Sequence, residues 1–206
     1  MTRYRVGQLA QKYTDHDMIS LHTDLPDFPD GRIRLLHAVL SHQPAAAGHK
    51  ELLSLVASLI QLGLDTHDMV EDRPAGSKEG MPAMRARQLK VLAGDYFSSR
   101  FYQLLSQAGQ IDAVRRLSEA ICDLNRIKMN AYAKMKQLKW NAEEYIHYGA
   151  EIKSGLFLSF TGLMHGLYER LWPELVERFC RCETLLQELR ATEKAERLQG
   201  GGGGWH

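Results

Sequence analysis

The sequence predicts an all-α fold, and three observations carry that prediction. No long segment alternates apolar and polar residues with period two, so half-buried strands are not expected. Apolar residues recur instead at spacings of three and four, the repeat that lines up one face of a helix. The periodic stretches are separated by short runs rich in proline, glycine and small polar residues, which end helices. Read in order, the pattern places helices at about 1–14, 30–42, 49–71, 83–107, 110–138, 141–168 and 173–198. The run "QPAAAGH" (43–49) interrupts the chain before the third helix, and "EDRPAGSKEGMP" (71–82), with two prolines and two glycines, forms a polar loop after it. Asn141 followed by Glu144 reads as a capping box opening the sixth helix. Pro173 suits the first turn of the seventh, where its missing N–H costs little.

Residues 1–199 therefore form a single helical domain, and the glycine-rich end 200–206 is a flexible tail of natural or artificial origin, set aside from the fold. With 206 residues, 44% of them hydrophobic and 25% charged, the chain can bury a sizeable core. A formal net charge of +1 and the lack of an outstanding basic run give no reason to expect nucleic acid as a partner. The apolar stretch from Leu52 to Leu64 is interrupted by Ser54, Ser58 and Gln61 and falls short of the ~20 residues a membrane span requires. The opening "MTRYRVGQLAQKY" has no apolar core of a secretion signal. Cys122, Cys180 and Cys182 fit reduced thiols in a cytoplasmic protein, since three cannot all pair and no zinc-ligand spacing is present.

Two stretches carry chemistry. In "LGLDTHDMVED" (62–72), Asp65, Asp68 and Asp72 stand three and four apart, on one face of a helix, the arrangement a divalent cation needs. Met69 lies beside Asp68, where a further carboxylate would strengthen such a site. In "RQLKVLAGDYFSSRFYQLLSQAG" (87–109), Leu89, Leu92 and Tyr96 join Ala93, Phe97, Phe101 and Leu104 in a broad apolar surface. Gly94 sits inside it at a cost of about 1 kcal/mol in helix propensity relative to alanine. Close approach of another helix would offset that cost, with Asp95 beside the contact.

The order of these stretches resembles the trans-prenyltransferases, all-α synthases that elongate isoprenoid diphosphates. In that family a helix ends in DDxxD, a loop carries an arginine pair, and the next helix reads LAGDYL; here the counterparts are "DMVED", the loop at 71–82 and "LAGDYF". "EEYIHYGAEIKSGLF" (143–157) resembles the family's Lys-Thr segment, with Lys153 and Ser154 at the pair. "FCRCETLLQ" (179–187) falls where a second aspartate-rich motif is expected. The resemblance covers about 50–190 and implies a helical bundle like that of the isoprenoid synthases.

It also implies magnesium ions, held between the two acidic motifs, that grip an allylic diphosphate while pyrophosphate departs. Here Asp68 and Asp72 match the first and last aspartates of the first motif, but Met69 replaces the second. In the second motif Glu183 stands for the first aspartate, while Thr184 and Gln187 replace two others. No arginine pair follows the first motif; Arg73 and Lys78 are the cations before Arg85. Each charge lost about 4 Å from the cluster forfeits on the order of 4 kcal/mol at an effective dielectric near 20. Since ~1.4 kcal/mol is a factor of ten in rate, the losses remove many orders of magnitude.

Half a synthase with both acidic motifs eroded resembles the small subunits of two-component heptaprenyl diphosphate synthases. That resemblance implies a chain with no catalytic residue and no cofactor of its own, paired as a heterodimer with a catalytic large subunit that carries Mg2+. The pair would elongate farnesyl diphosphate with isopentenyl diphosphate for the menaquinone side chain, the small subunit helping to set product length. Asp68, Asp72 and Glu183 are then vestigial metal candidates and Lys153 a vestigial diphosphate candidate. Tyr96, Phe97, Phe101, Tyr102 and Leu105 are candidates for the partner interface and product tunnel. Three alternatives remain open: a self-sufficient synthase with degenerate motifs, a helical scaffold unrelated to isoprenoids, and a metal-dependent phosphohydrolase of the HD type. The last would use His37 or His49, the His67–Asp68 pair and Asp95 around one metal.

Overall fold

The computed structural model describes residues 4–15, 17–21, 23–70, 80–135 and 140–200. It is all-α, as the periodicity predicts, and no strand occurs among the described residues. The helices are α1 (Val6–Thr14), a short α2 (Asp17–Ser20), α3 (Asp30–Leu40), α4 (Lys50–Asp68), α5 (Met81–Gln107), α6 (Ile111–Met135), α7 (Ala142–Leu158) and α8 (Leu167–Gly200). The chain forms two compact units, residues 1–118 and 119–206, and the division falls within α6.

The first unit is organised around α4, which packs against α1, α3 and α5. Every residue of α4 from Leu53 to Leu64 is buried, which explains why its apolar run is nearly continuous rather than striped. Its buried hydroxyls are satisfied within the helix: Ser58 Oγ donates to the Leu55 carbonyl at 2.7 Å and Thr66 Oγ1 to that of Leu62 at 2.6 Å. The partners contribute narrow stripes, Val6 and Ala10 from α1 and Ile33, Leu36 and Leu40 from α3. The stripe of α5 is narrower than its sequence predicts: Ala93, Gly94, Phe97, Phe101 and Leu105 are buried, whereas Leu92 is 61% exposed. A single i, i+4 ridge is what one straight helix seats against one neighbour.

The close approach expected at Gly94 is present and is two-sided. A Cβ built on Gly63 of α4 would lie 2.9 Å from Ser98 Oγ and 3.1 Å from the Gly94 carbonyl oxygen. A Cβ on Gly94 would lie 2.6–2.8 Å from three atoms of the His67 ring. The two glycines thus let the α4 and α5 backbones meet, and the dispersion gained there offsets their propensity cost.

In the second unit α7 and α8 pack together. The predicted capping box opens α7: the Glu144 N–H donates to Asn141 Oδ1 at 2.8 Å, and the Asn141 N–H to Glu144 Oε2 at 3.1 Å. Two boundaries differ from expectation. The sixth predicted helix, carried to 168, stops at Leu158, and Gly166 in the left-handed region (φ 64°) marks the break before α8. Pro173 is not in the first turn of α8 but lies inside it, seven residues in. The helix continues through it because Trp172 is fully buried and its Nε1–H donates to the Phe157 carbonyl at 3.0 Å. Those contacts outweigh the roughly 3 kcal/mol that an interior proline costs. Cys180 is buried and Cys122 and Cys182 are exposed, all as free thiols.

His37 shows how packing sets a pH response. Its ring is buried on α3, meets the Tyr4 ring edge-on at 5.4 Å, and its Nε2 has no hydrogen-bond partner. Burial first, then the charge of Lys50, holds its pKa below the usual 6.5. The folded state therefore binds this proton less readily than the unfolded state. The stability it supports is complete above pH 6.5 and is lost as pH falls through the lower folded value. Urea unfolding at pH 5 should show a lower midpoint than at pH 7, and His37→Leu should flatten that difference.

Candidate functional site

The first candidate constellation is the C-terminal end of α4 and the part of α5 it meets. Asp68 is the last residue of α4 and is exposed, and Met69 caps the helix. Asp65, one turn back, accepts a hydrogen bond from Gln61 Nε2 at 2.7 Å through Oδ1. His67, wedged over Gly94, points Nε2 at Asp95 Oδ1 at 3.3 Å. Asp65 and Asp95 are therefore each engaged by a side chain of this chain. Asp72, with Arg73 and Lys78, lies outside the described residues.

Magnesium demands several hard oxygen ligands in near-octahedral order. No group of three or more His, Cys, Asp or Glu side chains close enough to hold a metal occurs among the described residues. Met69 offers a soft thioether where an oxygen would serve. The described donor set does not fit a magnesium cluster. Nor does it fit the HD arrangement. His49 is the residue before α4 and His67 lies near its end, eighteen residues or roughly 27 Å apart at helical rise. His37 feels Lys50 and Glu51, at that same far end. Neither histidine can share one ion with His67–Asp68 and Asp95.

The second constellation joins α7 to α8. Lys153, half-buried on α7, donates from Nζ to Gln187 Oε1 at 2.8 Å and to Thr184 Oγ1 at 3.2 Å. Thr184 is 4% exposed, donates its own hydroxyl to the Cys180 carbonyl at 2.9 Å, and sets its methyl against Gly149. A Cβ on Gly149 would stand 2.8 Å from that methyl, so the two residues fit as knob and hollow. Glu183 is half-buried beside them on α8. Ser154, the other residue of the Lys-Thr resemblance, is buried and donates to the Glu151 carbonyl at 3.1 Å. The two residues that replace aspartates thus offer neutral oxygens to the lysine ammonium. Lys153→Met should change the free energy of unfolding by no more than about 1 kcal/mol, because Thr184 keeps its backbone partner and the exposed Gln187 turns to water. Urea denaturation of the two proteins measures this.

Of the five interface candidates, Phe97, Phe101 and Leu105 are buried in this chain's own core. Tyr96 is half-buried, and Tyr102 is 45% exposed with its hydroxyl 3.0 Å from Ser118 Oγ. The sequence singles out this helix but not which of its aromatic residues face outward. The residue it leaves unmarked is Arg100, which stacks against Tyr96 on the same helix.

Comparison with known proteins bears on these positions. The family model described as heptaprenyl diphosphate synthase (HEPPP synthase) subunit 1 matches residues 16–199, nearly the whole chain. The chain belongs to this family. Among curated proteins, heptaprenyl diphosphate synthase component 1 of Geobacillus stearothermophilus is 36% identical over 96 residues. That alignment covers 47% of this chain and 40% of the relative. No solved structure matches. Both constellations, Thr184 and Gln187 included, fall inside the span of the family match. Among the described residues no helix is long and apolar enough to cross a membrane.

Proposed function

We propose that this chain is the non-catalytic small component of a heterodimeric heptaprenyl diphosphate synthase, working in the cytoplasm. Its partner is a catalytic large subunit that holds Mg2+ and the diphosphate substrates. Together they would extend farnesyl diphosphate with isopentenyl diphosphate to the side chain of menaquinone, and the small component would help to set its length.

The observation that carries this reading is the pair of neutral oxygens offered to Lys153. Ionising an allylic diphosphate requires concentrated positive charge on the departing pyrophosphate, and the metal ions that supply it need carboxylates. In this chain Thr184 and Gln187 offer neutral oxygens to Lys153 where the resemblance to the prenyltransferases calls for acids. A helix pair knitted this way is a structural element. The name of the relative, component 1, supports a protein that acts with another subunit.

The test is a reconstitution with farnesyl diphosphate, isopentenyl diphosphate and magnesium, using this chain alone, the large subunit from the same genome alone, and both. Seven-unit product from the mixture only is the expected result. Product from this chain alone would overturn the reading in favour of a self-sufficient synthase.

A further inference from the structure

Several arginines of the described residues pair with carboxylates: Arg5 meets Glu51, Arg34 meets Asp30, Arg126 meets Asp123, Arg178 meets Glu174 and Arg181 meets Glu143. Among the described residues Arg100 of α5 has no such partner. Its Nη1 donates to Gln103 Oε1 at 2.5 Å and its Nη2 to the Tyr96 hydroxyl at 3.2 Å. Its Cζ lies 4.8 Å from the centre of the Tyr96 ring and 5.7 Å from that of Tyr13, on α1. Nε is buried and donates to nothing. A half-buried cation is thus held by two aromatic faces and two neutral oxygens.

Such an arrangement is costly for the chain by itself. A guanidinium drawn out of water loses hydration that a neutral amide and two ring faces replace only in part. Its planar fork is matched by the two oxygens of a carboxylate. The aromatic contacts fix the plane of the fork in advance, so less rotamer entropy would be lost on meeting an anion. Gln103 is exposed, and its carbonyl oxygen marks a position that a carboxylate oxygen would take over when the amide swings into solvent.

We propose that Tyr13, Tyr96 and Arg100 form a recognition site for a carboxylate carried on the surface of the catalytic subunit. This rests on the heterodimer reading above and gives it a location. Arginine and tyrosine are the residue types that dominate binding energy at protein interfaces, particularly where the partner excludes water from them. One guanidinium, with no second cation among its contacts, matches the single charge of a carboxylate rather than the several charges of a free diphosphate.

Calorimetric titration of the large subunit from the same genome into this chain tests the site. Arg100→Gln should weaken binding by at least about 10-fold, and Arg100→Lys, which keeps the charge but not the fork, by a comparable factor. The thermal melt of the isolated chain should shift by only a few degrees. Unchanged affinity in Arg100→Gln overturns the site while leaving the heterodimer intact. Absence of binding by the unaltered chain overturns both. If Arg100→Gln fails to fold, Arg100→Lys and Tyr13→Leu decide, and wild-type affinity in both rejects the proposal. Inorganic pyrophosphate titrated into this chain alone provides the second arm. Heat that disappears in Arg100→Lys, with subunit binding unaltered, would assign the site to a small anion and overturn the carboxylate.

Discussion

Phe101→Ala should lower the stability of the chain by about 3–5 kcal/mol, the range for removing a large aromatic side chain from a packed core. Phe101 is 1% exposed and lies on the α5 ridge between Phe97 and Leu105, both fully buried. Truncation leaves a cavity that α5 and α4 cannot close by moving together, because their backbones are already in contact at Gly63 and Gly94. The adjacent Tyr102 provides the control. It is 45% exposed, and its ring lies 4.0 Å from that of Phe101, so Tyr102→Ala should cost well under half as much. Urea denaturation of the two variants gives the comparison, and equal losses would mean that Phe101 is not a core residue. The result governs how an interface experiment is read. Weakened subunit binding in Phe101→Ala would report damage to this chain, whereas Tyr96, Tyr102 and Arg100 can be altered with the core intact.

The helices were legible because burial in an all-α chain is imprinted every three or four residues. The contact at Gly94 could be inferred because a glycine in mid-helix demands compensation. What periodicity cannot rank is which of two adjacent aromatic residues faces inward. Phe101 and Tyr102 differ by 100° around the helix, and the choice depends on where α4 lies, which is information held elsewhere in the chain. The same limit explains α8. Proline is a local signal for a helix start, but the segment around Pro173 follows the burial of Trp172, a tertiary effect.

The candidate site was legible in its losses and not in its replacements. Met69, Thr184 and Gln187 can be seen from sequence to be poor metal ligands. That the last two turn toward Lys153 is a consequence of α7 and α8 packing through Gly149. Arg100 left no sequence signal, because an arginine on a helix is ordinarily a solvated cation. Its peculiarity lies in partners from α1 and from its own preceding turn.

Trp172→Ala should be the most damaging single change in the second unit, by about 3–5 kcal/mol from the lost side chain alone. Trp172 is fully buried and is the largest side chain to be so. Its indole N–H also caps the carbonyl of Phe157, near the end of α7, so truncation removes that acceptor's partner and adds about 1 kcal/mol. A third effect follows from its neighbour. Pro173 disfavours helical geometry at the residue before it, and in the native chain the anchoring of the indole holds Trp172 helical against that preference. Without the anchor, the first turn of α8 should unwind back toward Gly166, whose left-handed backbone already ends the preceding segment. Pro173→Ala alone should have the opposite sign, because it restores a missing N–H and relieves the strain while leaving the indole in place. Restoring the helix in this way should recover part of the loss in the double variant Trp172→Ala/Pro173→Ala. Circular dichroism and urea unfolding of the three variants would measure this, and a double variant no more stable than Trp172→Ala would show that the proline does not oppose the helix at this position.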